Sequence, residues 1–159
     1  MNYLTHEIEI DLPDIAADRS VNVLTLTEPA GGTPFQIIIN RDLLLGGETL
    51  QECFERQVGL MTRQAQSFKT VARQAGPVGP DEIAAIVLES RFSQAGKNHH
   101  HLQALFVTEA PRLMVLTLSA QVPLGPGHRE VWMRLLSSLR RRGSEPAMPE
   151  GLVVPAEPA

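Results

Sequence analysis

The feature that most limits how this chain can fold is a set of β-type runs in which neither parity is charged. Neighbouring side chains on a strand point to opposite faces, so a strand with one packed and one wetted face should alternate apolar with charged or strongly polar residues. Ser20 to Thr27 does not: Leu24 and Leu26 occupy one parity, and Val21, Val23, Thr25 and Thr27 the other. Gln36, Ile38 and Asn40 stand likewise against Phe35, Ile37 and Ile39. Gln103, Leu105 and Val107 oppose Leu102, Ala104 and Phe106, and Val115, Thr117 and Ser119 oppose Met114, Leu116 and Leu118. One parity of each run reads as plain core. The other mixes Val, Ile and Leu with Thr, Ser and Gln. Unpaired charge is costly to bury, whereas a partner can satisfy hydroxyls and amides, so this second parity has the composition of an interface centre. Helices, or a second copy of the chain, covering both faces would produce the same pattern.

The remaining elements follow from periodicity and turn chemistry. Three β signals open the chain, at Leu4 to Ile10, Ser20 to Glu28 and Pro34 to Asn40, separated by Asp11-Leu12-Pro13-Asp14 and Pro29-Ala30-Gly31-Gly32. At Gly46-Gly47-Glu48-Thr49 the apolar period changes to that of a helix, with Thr49 and Glu52 at capping-box spacing. Leu50, Cys53, Phe54, Val58 and Met61 form its apolar stripe, and the helix is expected from about Leu50 to about Gln66. Four more strands are expected at Phe68 to Gln74, Glu82 to Phe92, His99 to Thr108 and Arg112 to Gln121. The short turns between them imply a meander. A last helix carries Val131, Trp132, Leu135, Leu136 and Leu139 on its buried stripe, with Arg140-Arg141-Arg142 complementing the dipole at its end. The fold class is therefore α+β: an antiparallel sheet packed with two main helices, one sheet face covered and the other free.

Composition removes several function classes. The chain of 159 residues carries a formal net charge of -4, which opposes the clustered Lys and Arg of a nucleic-acid binder. The domain is placed at 1–142 and a disordered Pro/Ala/Glu-rich tail at 143–159. The tail's three Glu residues supply most of the net charge. Met1 to Asp11 lacks the basic start and apolar core of a signal peptide, and no stretch is long and apolar enough to span a bilayer, so a cytoplasmic protein without stable membrane insertion is expected. The lone Cys53 fits a reducing compartment and a buried site in the helix.

Catalytic and metal motifs are weak. His99-His100-His101 invites a metal reading, yet strand alternation lets only His99 and His101 converge, and no acid or thiol cluster adjoins them in sequence, so a solvated strand start is expected and no metal. No nucleophile elbow, phosphate loop or HExxH occurs. The expectation is a non-enzymatic protein without a cofactor.

One stretch carries a family resemblance. Ile37-Ile38-Ile39-Asn40-Arg41-Asp42, a short spacer, and Gly47-Glu48-Thr49-Leu50 opening an amphipathic helix with Glu52 and Arg56, preceded by Ser20-Val21-Asn22-Val23-Leu24, resemble the DUF1795 family and specifically the Eag chaperones of bacterial type VI secretion systems. The resemblance covers roughly Tyr3 to Arg142, and the Pro-rich tail departs from it. It implies a Mog1/PsbP-like sandwich forming a homodimer. The concave sheets would embrace the N-terminal transmembrane helices of an effector, near its PAAR region, before loading on the VgrG spike. Combined with the second parity, it points to Val23, Thr25, Gln36, Ile38, Gln103, Leu105, Val115 and Thr117 as the client-binding residues. The alternatives are a Mog1-like adaptor for a folded protein partner, and a hydrolase or ligand-binding domain using His101 or Glu89.

Overall fold

The computed structural model describes residues 2–4, 8–14, 19–27 and 32–142. The tail expected at 143–159 and most of the turn at Pro29 to Gly31 lie outside the described residues. The strands are β1 (Asn2–Leu4), β2 (Glu9–Asp11), β3 (Val21–Leu26), β4 (Phe35–Leu43), β5 (Gln66–Val78), β6 (Ile83–Gln94), β7 (Lys97–Glu109) and β8 (Arg112–Ala120). The helices are α1 (Leu50–Gln64), between β4 and β5, and α2 (Pro126–Ser138), after β8. β3 to β8 form one antiparallel sheet in the spatial order β3-β4-β8-β7-β6-β5. β5 to β8 are the expected meander. β8 then pairs with β4, so the chain between β4 and β5 must travel from the second strand of the sheet to its opposite edge, and α1 makes that journey across one face.

Each helix seals a core of its own. Trp132 and Leu136 of α2 pack on Phe35, Ile37, Leu102, Ala104, Phe106, Leu116 and Leu118, the parity read as plain core. Phe54 of α1, with Leu50 and Val58, packs on Ile86, Leu88, Leu105 and Val115 of the opposite face. The expectation of one free face is thus half right: α1 covers the β5–β7 side of the second face and leaves the β3–β4 side. Periodicity reports how much of a strand is apolar, not which segment crosses it.

Local chemistry explains the boundaries. The Thr49 hydroxyl accepts from the Glu52 amide at 3.1 Å and the Thr49 amide donates to Glu52 Oε1 at 3.4 Å, closing the capping box. Arg56 holds Glu48 with two hydrogen bonds of 2.8 and 3.0 Å, which keep the Glu48 carboxyl well down, at about 2. Cys53 is buried beneath this strap and its thiol pKa is pushed up by burial. At the β6–β7 hairpin, Ala95 and Gly96 both take positive φ, the twist favoured in two-residue hairpin turns.

Four boundaries differ from expectation. The run Leu4 to Ile10 is not one strand: β1 and β2 pair antiparallel with each other, Asn2 opposite Asp11. In sequence, Thr5-His6-Glu7 between them offers no apolar side chain to anchor a longer strand. β5 runs on through Gly76 and Pro77 to Val78, because an edge strand tolerates a residue that cannot donate to the ladder; the reversal falls at Gly79, in positive φ. α1 stops at Gln64, ahead of Ser67, whose φ is also positive. α2 ends at Ser138, so Arg140 to Arg142 follow the helix instead of closing it; Arg141 is drawn back to the sheet, its amide to Asp81 and its guanidinium to the Val107 carbonyl.

Candidate functional site on the open half of the sheet

Residues directly opposite across antiparallel strands share a face, so the register defines the α1 face row by row. One row runs Val21, Asn40, Val115, Leu105, Ile86. The next runs Val23, Ile38, Thr117, Gln103, Leu88. The third runs Thr25, Gln36, Ser119, His101, Ser90. All eight residues named from the sequence fall in these three rows, on one face. Their accessibility differs sharply. Val23, at 55% exposure, Thr25 and Gln36 face solvent, and Ile38, Gln103 and Val115 are half-buried. Leu105 is 4% exposed beneath Phe54, and Thr117 is 2% exposed. These two back the surface from behind, because α1 packs over the one and the Gln103 amide donates to the other's hydroxyl at 3.1 Å.

Two cross-strand polar bridges join β7 to β8 on this face: the Gln103–Thr117 contact and, one row on, a 2.9 Å hydrogen bond between His101 Nε2 and Ser119 Oγ. His101 is not a solvated strand start. Its ring meets Phe92 edge-on at 4.8 Å, while Phe92 stacks on His99 at 5.1 Å and on Phe68 at 6.2 Å. Burial, with the neighbouring histidines, pulls the His101 pKa down to about 4. At neutral pH it is therefore an uncharged polar group, like the amides and hydroxyls around it.

Between α1 and β3, β4, β7 and β8 lies a cleft of about 400 Å³. Its floor is Val21, Asn40, Gln103, Leu105 and Val115, its wall Phe54, Gln57, Val58 and Met61, and Arg19, Arg41 and Asp42 lie at its margin. Arg41 donates to the Ser20 carbonyl at 3.1 Å and to Asn22 Oδ1 at 2.7 Å, fixing the start of β3. Phe54 is held in place by Arg73, whose guanidinium lies 4.7 Å over its ring and pairs with Glu55 at 2.8 Å. The cleft has room for a few side chains, and the open rows of β3 and β4 continue from it as a shallow shelf. Val21 and Asn40 could have been found by extending the parity of Val23 and Ile38 two residues. Gln57 and Met61 could not, since nothing in the local pattern says where α1 lands.

Glu89 and His101 do not make a joint site. Glu89 pairs across from Leu102 on the α2 face, where Arg129 meets it at 2.6 Å, and His101 lies on the α1 face. Among the described residues no group of three or more His, Cys, Asp or Glu could hold a metal ion.

A half-covered antiparallel sheet, with apolar and amide side chains interleaved on its open half, defines an α+β module whose most distinctive surface suits binding. The DcrB family model matches residues 7–138, and the chain belongs to that family, the DUF1795 family indicated by the sequence. It is similar to effector EagT6 of Pseudomonas aeruginosa, at 23% identity over 137 residues that cover 86% of this chain and 93% of the relative. The fold is shared with PA94, a Pseudomonas aeruginosa protein of unknown function, with a TM-score of 0.74, 24% identity, and coverage of 91% of this chain and 98% of that one.

Proposed function

We propose that the protein is an effector-associated chaperone of a type VI secretion system. On this reading the open half of the α1 face shields the N-terminal transmembrane helices of a cognate effector until loading on the VgrG spike. The similarity to EagT6 supports the effector-associated role, and the observation that carries the finer reading is the uncharged shelf of Val21, Val23, Thr25, Gln36 and Ile38. A helix built for a membrane presents aliphatic side chains punctuated by small polar ones. It needs apolar contact along its length and hydrogen-bond partners at intervals. The shelf offers both without charge, and the cleft beside it can take an anchoring side chain. The protein acts without catalysis or cofactor, as a homodimer in the cytoplasm.

Co-expression with the hydrophobic N-terminal segment of the effector tests this. The wild-type chain should keep that segment in the soluble fraction, and Val23→Asp should abolish the rescue with little effect on folding, because Val23 is exposed. Ile38→Asp should do the same, with circular dichroism reporting whether this half-buried site still folds. Rescue that survives both substitutions would defeat the proposal. A Mog1-like adaptor would instead bind a folded, polar partner and be indifferent to the hydrophobic segment.

A further inference from the structure

α2 covers its face of the sheet as incompletely as α1 covers the other. Between the helix and the β5–β6 side lies a cleft of about 330 Å³, walled by Trp132, Met133 and Leu136 and floored by Gln74, Gly76 and Val87. Met133 is 62% exposed there, and Gly76 and Val87 are half-buried. One end of the cleft opens at Gly79, which lies against the carbonyl of Leu139, the cap residue of α2. Toward the other end the register carries the same face from Gln74 and Val87 to Ala72 and Glu89, then to Lys69 and Arg91. Lys69 and Arg91 are exposed, and Arg129 meets Glu89 beside them. Three cations against one carboxylate make this end basic.

We infer that Leu152-Val153-Val154, in the segment of this chain that follows α2, docks in that cleft and that Glu157 reaches its basic end. Position, length and charge select this occupant. The Arg141 amide is tied to Asp81 next to the Gly79 turn, so the chain beyond Arg142 starts at the mouth of the cleft. Fully extended, the residues from Arg142 to Leu152 span up to about 33 Å, whereas Ile83 to Val87 along the floor is only about 13 Å. Val153 is as far in sequence from Glu157 as Val87 is from Arg91, so an extended segment carries its acid to the cations. Gly143 to Ala159 holds three Glu and no Lys or Arg, the complement of that end. With few apolar residues the segment cannot build a core of its own, but three in a row can anchor it in a preformed cleft. Pro146, Pro149, Pro155 and Pro158 lower the entropy lost on docking and cannot donate to a ladder, so it packs by side chains instead of adding a strand to β5. Docked there, it closes the α2 face and leaves the α1 shelf open. The inference does not depend on what that shelf binds.

The test uses the full chain in a Cys53→Ala background, with Val153→Cys combined either with Met133→Cys at the cleft or with Val23→Cys on the opposite face. Under mild oxidation the Met133 pair should close a disulfide within one chain, at a rate independent of protein concentration, and the Val23 pair should not. Arg91→Glu should slow that closure about twofold to fivefold, the scale of an exposed ion pair, and adding Glu157→Arg should restore it. A second readout needs no cysteine: Trp132 is the chain's only tryptophan and lines the cleft. Leu152→Asp, which lies outside both helices and all the strands, should shift its emission to the red and open it to acrylamide while the melting of the sheet is retained. Four results would overturn the inference: equal linkage to Met133 and Val23, linkage between chains in place of linkage within one, closure that ignores Arg91→Glu, or a Trp132 signal indifferent to Leu152→Asp.

Discussion

His101 shows how one residue can be polar, central and uncharged at once. Its ring is packed against Phe92, and its Nε2 is committed to Ser119. Burial outweighs any benefit of protonation, so its pKa falls to about 4 from the ordinary 6.5. The unfolded chain takes up a proton near 6.5 and the folded chain only near 4. The fold therefore keeps its full stability above the upper value, loses it progressively between the two, and loses no more on this account below the lower one. The cost is on the order of 3 kcal/mol at most. Urea unfolding at pH 7 and pH 5 should show it, and His101→Gln should flatten the difference. A smaller slope should remain from His100, which burial also lowers. An unchanged slope in the variant would mean that His101 titrates normally.

At the scale of elements, the turn between β5 and β6 is a joint between sheet and helix. Gly79 has φ of 72°, and a Cβ added there would run into the carbonyl of Leu139, the cap residue of α2. Gly79→Ala thus combines a left-handed backbone with a collision against an atom that cannot swing away. It should cost more than the ~1 kcal/mol usual for strain alone, read as a lowered thermal midpoint; an unchanged midpoint would show that α2 can slide. Asp81 and Arg141 belong to the same joint. Part of this was legible in the sequence: Thr49 and Glu52 announced the start of α1, and the meander from β5 to β8 followed from its turns. The end of β5 was not, because Gly76-Pro77 breaks a central strand yet suits an edge, and position in the sheet depends on pairings distant in sequence.

For the whole molecule the division is similar. The eight client-binding candidates share one face because strand parity is local and no bulge interrupts β3, β4 or the central stretches of β7 and β8. That Leu105 and Thr117 lie beneath other groups depends on α1 and on the Gln103 side chain, neither of which their own neighbourhoods specify. The order β3-β4-β8-β7-β6-β5 also means that β3 and β4 join the meander only through β8. Hydrogen exchange during refolding should therefore protect the amides that pair β6 with β7 before those that pair β4 with β8, since local pairings form ahead of distant ones. Simultaneous protection would argue for a single cooperative nucleus.

That order has a consequence on the ribosome. The β3–β4 hairpin, with Ile38 in it, leaves the exit tunnel while the strand that seats it in the sheet, Arg112–Ala120, is still being translated. Until it arrives the nascent protein displays sticky, half-made β-structure of its own, which itself needs shielding before the sheet can close.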